Sequence, residues 1–423
     1  MNFNIEKAKA REILDSRGNP TLLVEITLEN GIKGSASVPS GASTGIHEAL
    51  ELRDNDKTRY LGKGVLNACD NVKNLINKEI KGLSVLDQEV IDETLIKLDG
   101  TPQKSYLGAN AILGVSLACL HAHANTRKKE LFQIIAELFS YRGTFSLPTP
   151  MINVINGGKH ADTNLDFQEF MVVPRADIPY DLKLQMVSEV FHSLGAVLKR
   201  HQLDTDLGNE GGYAPDVKNN EEPLKLISEA IEELPYRPGK EIFIALDVAA
   251  STFYRPSDNK YVLACERKTL NKKQFFNYYL KLLEKYPIIS IEDPLYEDDF
   301  SSWSEFKQIL PVSVLLVGDD LYATNAERLQ LGINANCTNA LIIKPNQVGT
   351  ITETLKCIKL AKEKGLSAII SHRSGETNDY TIADLAVGVG APYIKSGSCA
   401  HGERLSKYNR LLLISDILAS GSI

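Results

Sequence analysis

The sequence predicts an α/β protein in which a smaller α+β domain precedes an eight-stranded barrel of alternating strands and helices. At roughly 150 residues per domain, a chain of 423 residues suffices for two or three domains. The hydrophobic period changes from strand to helix in the first third of the chain, and short apolar runs alternate with helical stretches after residue 150. Residues 141–150 break every period, so we predict domains at 1–142 and 143–423.

The first domain opens with strands. Every second residue of one segment is apolar, at Leu22, Val24, Ile26 and Leu28. The following Glu29-Asn30-Gly31 offers the positive φ of a tight turn, and residues 32–38 continue as a second strand. This pattern predicts a β-hairpin.

Helices are predicted to follow the hairpin. Apolar residues recur at intervals of three and four over residues 65–80, 86–98, 109–125 and 130–139. This period is typical of amphipathic helices, and their apolar faces would pack on the hairpin.

The second domain contains short apolar runs that predict strands, over residues 241–248, 288–292, 312–317, 340–343, 367–370 and 393–394. A polar residue ends or follows each run, namely Asp247, Glu292, Asp319, Lys344, His372 and Lys395. Most intervals hold the roughly 25 residues of one strand–helix unit, and the longest, before Glu292, has room for an extra strand pair. A barrel would gather these polar residues at one mouth; a doubly wound open sheet is the alternative, because a sequence period does not show closure.

Three of these residues, Asp247, Glu292 and Asp319, are acids at the ends of consecutive apolar strands. Converging carboxylates repel one another unless a cation lies between them, and a set of oxygen ligands favours Mg²⁺ over Zn²⁺. We therefore predict a magnesium site. The alternative for each acid is a solvated strand end or a helix N-cap.

Lys344 and Lys395 end later strands and would face the same mouth. A nearby ammonium group or metal lowers the pKa of a lysine, so one of them is a candidate general base; the alternative is a surface lysine. The segment Ser371-His372-Arg373-Ser374 adds a guanidinium group and a hydroxyl that suit phosphate or carboxylate. It predicts an anionic substrate, against the alternative of a helix-entry loop with an incidental arginine.

Further candidates lie earlier in the second domain and in the first. Glu210 lies among glycines in a turn, where neighbouring carboxylates would raise its pKa and make it an acid. Gln168 and Glu169 lie within an apolar run, where polar side chains need partners. His160 lies in a glycine-containing loop, and residues 39–45 combine glycines with hydroxyls, as a mobile lid does. The alternatives are a surface turn for Glu210, a buried salt bridge for Gln168 and Glu169, a surface-loop histidine for His160 and a linker for residues 39–45.

Composition argues against several other classes of protein. The net charge is −7 and no dense basic run occurs, so direct nucleic-acid binding is not expected. The six cysteines are scattered without a Cys-x-x-Cys pair, which fits a reducing cytosol. Neither a leader segment nor an apolar span of membrane length is evident, so we expect a cytoplasmic protein that does not bind membranes.

These motifs resemble the enolase family nearly from end to end. The matching segments are residues 10–21, 40–45, 107–111, 168–171, 210–212, 290–294, 318–321, 344–350 and 371–377. Asn209, Asn378 and residues 398–401 depart from the usual family residues, although none is a catalytic or metal position carried over from the family. The resemblance implies a barrel of the enolase type with an irregular antiparallel strand pair, in a homodimer or higher homo-oligomer.

The resemblance implies a lyase that reversibly dehydrates the small phosphorylated substrate 2-phospho-D-glycerate to phosphoenolpyruvate and water, in glycolysis and gluconeogenesis. It implies two Mg²⁺ per active site, the second recruited with the substrate. Asp247, Glu292 and Asp319 would hold the first ion, and Ser43 of the lid would join the second. A racemase or cycloisomerase of the same superfamily is one alternative, and a non-catalytic surface or adhesive relative is another.

The resemblance also assigns roles to individual residues. Lys344 would be the general base that removes the carbon-bound proton, Lys395 would stabilise the resulting dianion, and Glu210 would be the general acid that expels hydroxide. The implied substrate-binding residues are Gln168 and Glu169 beside the leaving hydroxyl, Arg373 and Ser374 on the phosphate, His160 on a second mobile loop, and His372 in support of the phosphate pocket.

Overall fold

A computed structural model of the chain describes residues 3–41 and 45–421. The first part of the fold is an antiparallel sheet. Its strands are β1 (Ile5–Leu14), β2 (Pro20–Leu28) and β3 (Lys33–Ser37), in that order across the sheet. The predicted hairpin is β2–β3: the alternating apolar residues of β2 are fully buried, and Gly31 in the turn has φ +84°. β1 pairs with β2 and adds a third strand.

The helices predicted for the first domain pack behind this sheet. They are α1 (Leu66–Asp70), α2 (Asn77–Ile80), α3 (Gln88–Asp99), α4 (Ala109–Arg127) and α5 (Leu131–Phe139). A π-helical turn, Asn71–Ile76, joins α1 to α2. α4 is buried along most of its length because it packs on the sheet and also on the second part of the chain.

The remaining strands belong to a barrel and a small separate sheet. They are β4 (Thr149–Asn156), β5 (Glu169–Pro174), β6 (Ile242–Asp247), β7 (Tyr254–Arg255), β8 (Lys260–Leu263), β9 (Lys268–Asn271), β10 (Ile288–Glu292), β11 (Leu315–Gly318), β12 (Ala340–Ile343), β13 (Ser367–Ser371) and β14 (Tyr393–Lys395). The barrel closes in the order β4–β5–β6–β10–β11–β12–β13–β14. A closed barrel rather than an open sheet is therefore confirmed.

One strand of the barrel runs against the others. β5 is antiparallel to both β4 and β6, whereas the other neighbouring strands are parallel. The irregular antiparallel pair implied by the family resemblance is therefore β4–β5, at the start of the barrel. The long interval before Glu292 holds instead the antiparallel sheet β7–β8–β9, which lies outside the barrel.

Helices follow the strands of the second part of the chain. They are α6 (Tyr180–Arg200), α7 (Glu222–Glu232), α8 (Lys272–Lys285), α9 (Phe300–Ile309), α10 (Ala326–Asn334), α11 (Ile351–Glu363), α12 (Thr381–Gly388) and α13 (Gly402–Ala419). Short 3₁₀ turns lie at Tyr60–Gly62, Gly158–His160, Ala250–Thr252 and Pro345–Gln347. Within residues 3–41 and 45–421, no helix combines the length and apolar character needed to cross a membrane.

The prediction of a strand over residues 312–317 was wrong at its start. β11 begins only at Leu315, because Val314 donates its backbone N–H to the carbonyl of Pro311 and closes a turn. Val312 is consequently 98% exposed. Val312, which follows Pro311, therefore lengthened the apolar run in the sequence although it does not belong to the strand.

The barrel interior is filled by side chains rather than open. Its inward-facing residues are Met151, Met171, Val173, Ala245, Val317, Ala340, Ile342 and Ile369. The alternate residues of the same strands, such as Leu341 and Ile343, pack outward in the main core. Burying each large apolar side chain contributes about 1.5–3 kcal/mol, so the strands form a rigid base for their polar ends.

The first domain is fixed against the barrel beside one of the predicted site strands. Asp92 of α3 accepts the backbone N–H of Thr352 at 3.0 Å, and Ser116 of α4 accepts that of Ile351 at 3.0 Å. These side chains satisfy N–H groups that the first turn of α11 leaves unpaired. Ser40 and Gly375 also exchange backbone hydrogen bonds of 2.7 and 2.8 Å, which holds the start of the 39–45 segment near the barrel mouth.

Candidate active site

A polar cavity lies at the barrel mouth, where the parallel strands end. Its lining includes Glu48, His160, Gln168, Glu169, Glu210, Asp247, Asp319, Lys344, His372, Arg373, Ser374 and Lys395. Glu292 joins this group through Lys395, whereas Ser43 lies outside the described residues. The structure thus brings together every predicted site residue that it describes.

The two-residue period of the strands directs these side chains to the mouth. Ala245 of β6, Val317 of β11 and Ile342 of β12 face the barrel interior. The residues two positions further along the same faces are Asp247, Asp319 and Lys344. Strand register places two further acids beside Asp247, which lies opposite Glu169 on β5 and opposite Glu292 on β10.

The Lys395 ammonium group lies among three acids. Its Nζ is 2.9 Å from Asp247 Oδ2, 2.9 Å from Glu292 Oε2 and 3.2 Å from Glu169 Oε2. Gln168 donates its side-chain amide to Asp247 Oδ2 at 3.3 Å. Lys395 is 2% exposed, so its charge is compensated by this carboxylate group rather than by water.

The Lys344 ammonium group binds the third predicted metal acid. It donates to Asp319 Oδ2, while Gln347 donates to Asp319 Oδ1 at 3.0 Å. The backbone N–H of Lys344 donates to Thr324 Oγ1 at 2.9 Å. Both ends of the lysine are therefore held, and its amine is fixed at the edge of the cavity.

Two glutamates and a histidine form a cluster on the other side of the mouth. His160 Nδ1 is 3.2 Å from Glu169 Oε1 and 3.3 Å from Glu210 Oε1. Asn153 of β4 donates to Glu210 Oε2 at 3.2 Å, and His372 Nε2 is 3.4 Å from the same oxygen. Lys344 directly follows β12, and Glu169 is the first residue of β5. These two strands are four apart in a barrel of eight, so Lys344 and the cluster face each other across the cavity.

Arg373 and Ser374 lie beside the cavity, where the first domain reaches it. Arg373 forms a two-point ion pair with Glu48, with Nη1–Oε2 and Nη2–Oε1 distances of 2.8 and 3.2 Å. It also donates to Asn346 Oδ1 at 3.1 Å. Ser374 Oγ is buried and has no hydrogen-bond partner within the described part of the chain. The pair offers a guanidinium fork and a hydroxyl to an anion.

Both parts of the chain match known protein families. Residues 5–135 match the family model for the enolase N-terminal domain, and residues 144–423 match that for the enolase C-terminal TIM barrel domain. The chain belongs to the enolase family. Its fold, a small α+β domain followed by the barrel, is the fold of that family.

The acids of this enolase-family site fit a hard divalent cation. Burial and the neighbouring Asp247 charge hold the pKa of Glu292 well above its usual range, so several negative charges here require compensation. The available donors are carboxylate oxygens, the ligands that Mg²⁺ prefers. Asp293, Asp319 and Asp320 also bring carboxylate oxygens within 4.8 Å of one another. Asp247 and Glu292 lie outside that group of three, so their assignment to a Mg²⁺ site together with Asp319 stays a prediction.

Asp319 gives a direct test of this metal assignment. We expect Asp319→Asn to weaken Mg²⁺ binding at least about tenfold, because loss of even a residue that supports a metal ligand costs roughly 10–100-fold. Calorimetric titration of the protein with Mg²⁺ measures the change. Asp258→Asn, in the exposed turn of the small sheet where Asp258 pairs with Arg255, is the matched control. An unchanged dissociation constant in Asp319→Asn would remove Asp319 from the metal site.

The electrostatics of the glutamate cluster correct one expectation. Burial and the Glu210 charge raise the pKa of Glu169 to about 7. Burial acts to raise the pKa of Glu210 too, but His160 and His372 outweigh it, and the pKa falls well below its usual range. Burial opposes protonation of His160, yet Glu210 and Glu169 raise its pKa to about 9. The raised carboxyl pKa thus belongs to Glu169 rather than to Glu210, because two histidines face Glu210.

The environment of Lys344 favours its ammonium form. Burial alone would lower the pKa of Lys344, but the Asp319 carboxylate outweighs burial and raises it. Arg373 and Lys395 act in the opposite direction, as the sequence analysis expected of a neighbouring ammonium group. Lys344 can therefore lose its proton and serve as a base only when another positive charge compensates that of the Asp319 carboxylate.

The structure adds site residues that the sequence analysis missed. Glu48 pairs with Arg373 although 325 residues separate them, and no local pattern signals that contact. Asp293 and Asp320 each follow a predicted ligand directly, so the doubled acids Glu292-Asp293 and Asp319-Asp320 were an available signal. Asp293 accepts the backbone N–H groups of Asp319 and Asp320, both at 2.8 Å, and thereby fixes the loop after β11.

The departures from the usual family residues lie outside the cavity. The side chains of Asn209, Asn378 and His401 are exposed. The backbone of Asn209 nevertheless ties the site together, because its N–H donates to the carbonyl of His160 at 3.0 Å. Replacing an acid by asparagine at this position leaves that backbone contact intact.

Proposed function

We propose that this enolase-family chain reversibly dehydrates 2-phospho-D-glycerate to phosphoenolpyruvate and water. The observation that carries the proposal is the placement of Lys344 opposite the Glu169–His160–Glu210 cluster, with Arg373 and Ser374 beside the same cavity. Elimination of water needs a base at one carbon and a proton donor at the leaving hydroxyl. Lys344 suits the position of the base, and the Glu169–His160–Glu210 cluster suits that of the proton donor.

The anion-binding residues support a phosphorylated substrate. The planar guanidinium group of Arg373 is held at the cavity by Glu48 and Asn346, and the Ser374 hydroxyl is buried beside it. A racemase or cycloisomerase acting on an unphosphorylated acid would not need this pair. The substrate phosphate would bind Arg373 and Ser374, which places the carbon chain across the mouth toward Lys344.

The proposed reaction assigns one task to each side of the cavity. Lys344 removes the proton from the carbon next to the substrate carboxylate, and Lys395 stabilises the negative charge that develops. Mg²⁺, when bound to the three acids, compensates the charges of Asp319 and of the substrate carboxylate. Glu210, the proposed general acid, would then pass to the departing hydroxide a proton held by Glu169 or His160, the members of the cluster whose pKa values are raised. In this role the chain would act in glycolysis and gluconeogenesis in the cytoplasm, as a homo-oligomer.

The proposal is tested by the absorbance of phosphoenolpyruvate formed from 2-phosphoglycerate, with and without Mg²⁺. We expect turnover with the metal and none in excess chelator. D-Glycerate, which lacks the phosphate, is the matched control substrate and should not react. Failure of the purified protein to form phosphoenolpyruvate at saturating Mg²⁺ would reject this function and favour the superfamily or non-catalytic alternatives.

Arg373 provides a separate test of substrate choice. Arg373→Ala should raise KM for 2-phosphoglycerate roughly 10–100-fold, since a hydrogen bond to a charged group contributes about 1.5–3 kcal/mol. Steady-state kinetics measure this, with Arg200→Ala as control because Arg200 pairs with Glu229 on the outer helices. An unchanged KM with a reduced kcat would show that Arg373 acts only in the transition state.

A further inference from the structure

Arg404 is a fully buried arginine at the base of the candidate site. It lies near the start of α13 and is 0% exposed. Its single carboxylate neighbour among the described residues is Glu403, whose Oε1 is 3.2 Å from Arg404 Nε. Because burying a guanidinium group is costly unless it is paired and hydrogen-bonded, its contacts identify what the residue does.

The guanidinium group connects two segments of the site. Arg404 Nη2 donates to the backbone carbonyl of Asn209 at 2.9 Å, directly before the proposed acid Glu210. It also donates to the carbonyl of Ser374, and Nη1 donates to the carbonyl of Arg373 at 2.6 Å. One side chain therefore holds the acid segment and the anion-binding segment in a fixed relation.

The same guanidinium group determines which imidazole nitrogen of His372 carries the proton. Arg404 Nη1 lies 2.7 Å from His372 Nδ1. An arginine only donates hydrogen bonds, so Nδ1 must be the acceptor and a neutral imidazole must carry its proton on Nε2. His372 Nε2 faces Glu210 Oε2 at 3.4 Å. The tautomer selected by Arg404 thus directs an N–H group at Glu210.

Electrostatics agree with a neutral His372. Burial lowers the pKa of His372 to about 4, and the Arg404 charge adds to this effect against the opposing charges of Glu210 and Glu376. A neutral donor supports the Glu210 carboxylate without cancelling its charge. His160, with its pKa raised to about 9, is the charged partner on the other oxygen of Glu210.

Backbone packing shows that Arg404 and Glu210 are closely fitted. Gly397 lies between them with φ +70°, and a Cβ on it would come within 2.8 Å of both Arg404 Cδ and the Glu210 carbonyl oxygen. Ser398 donates its backbone N–H to that carbonyl at 2.9 Å. The segment after β14 leaves no space for Glu210 to shift relative to Arg404.

We propose that Arg404 is a positioning residue that fixes His372 as the Nε2–H tautomer and thereby orients Glu210. The catalytic consequence rests on the dehydration proposed above, whereas the tautomer assignment does not. Loss of the guanidinium group should free His372 Nδ1 to take the proton and should release the carbonyl of Asn209. Proton transfer to the leaving hydroxyl should suffer more than substrate binding.

The test combines imidazole ¹⁵N NMR with kinetics. In protein labelled with ¹⁵N-histidine, and with the His372 signals assigned by their loss in His372→Gln, we expect the Nε2–H tautomer at pH 7. Arg404→Met should shift His372 toward Nδ1–H or a mixture, and should lower kcat for dehydration roughly 10–100-fold. KM should rise by a smaller factor, because the carbonyls of Arg373 and Ser374 lose the same donor. Arg404→Lys, which retains a cationic donor, should recover part of both effects.

Arg410→Met is the matched control for a structural role. Arg410 lies on the same helix and pairs with Asp384 and Glu130 away from His372, so its loss should lower thermal stability without changing the His372 signals. A wild-type His372 protonated on Nδ1 would overturn the proposal even if the Arg404 variants fail to fold. An unchanged tautomer in a folded Arg404→Met would also overturn it. Absence of dehydration by the wild type would reject the proposed function while leaving the tautomer result to stand.

Discussion

Replacing Lys344 with alanine is expected to abolish dehydration of 2-phosphoglycerate and also exchange of its carbon-bound proton with deuterated solvent. Lys344 is the amine at the edge of the cavity opposite the glutamate cluster, held by Asp319 and by Thr324. Without a base no carbanion forms, so both reactions lose a factor of at least 10²–10⁴, the usual contribution of a positioned proton acceptor. Deuterium uptake followed by ¹H NMR, together with phosphoenolpyruvate absorbance, measures the two losses.

Lys183→Ala is the matched control for this variant. Lys183 is also buried, but it donates to Thr149 at the start of β4, the opposite end of the barrel from the site. Its loss should reduce stability and leave both reactions near the wild-type rate. Exchange that survives in Lys344→Ala at saturating Mg²⁺ would assign proton removal to another group and contradict the proposed role.

The barrel was predictable because its strands are short and their ends are polar. Buried runs such as residues 340–343 carry a continuous apolar signal, and the polar residue after each run marks the mouth. β4 and β5 were not among the predicted strands. Pro150, Asn153 and Asn156 interrupt the apolar run of β4, so it lacks the continuous signal of the other buried strands. The antiparallel direction of β5 depends on pairing with distant partners.

Much of the candidate site followed from residue type and position, whereas its pairings did not. Asp247, Lys344 and Lys395 could be placed at the mouth by strand period alone. The sequence could not show that the Lys395 ammonium group contacts three acids, because their register across separate strands sets that contact. Nor could it show the Arg373–Glu48 pair, which depends on how the first domain docks on the barrel.

The ionisation of the glutamate cluster was beyond sequence reasoning for a related reason. Glu169 and Glu210 are both buried acids beside each other, so residue type alone predicts a raised pKa for either. The difference arises from the histidines, since Glu210 faces both His160 and His372 while Glu169 shares only His160 and also contacts Lys395. The positions of the His160 and His372 ring nitrogens therefore decide that Glu169, rather than Glu210, keeps its proton.

Glu210→Gln is expected to suppress phosphoenolpyruvate formation by a factor of roughly 10²–10⁴ and yet to leave exchange of the carbon-bound proton measurable. The glutamine retains the shape of the side chain but can neither carry the charge that holds His160 protonated nor take part in proton transfer. Lys344 lies across the cavity and is untouched, so the carbanion still forms and returns to substrate. The same two measurements used for Lys344→Ala separate the two steps.

Glu169→Gln is the matched partner of this variant, because it removes the carboxyl whose pKa is raised to about 7. A group with this pKa holds its proton below pH 7 and loses it as pH rises, so dehydration by the wild type should decline above about pH 7. We expect that decline to disappear in Glu169→Gln and to move to lower pH in the residual activity of Glu210→Gln, because the Glu210 charge that helps to raise the Glu169 pKa is then absent. Loss of proton exchange in Glu210→Gln, with exchange retained in Lys344→Ala, would mean that base and acid lie on the opposite sides from those proposed.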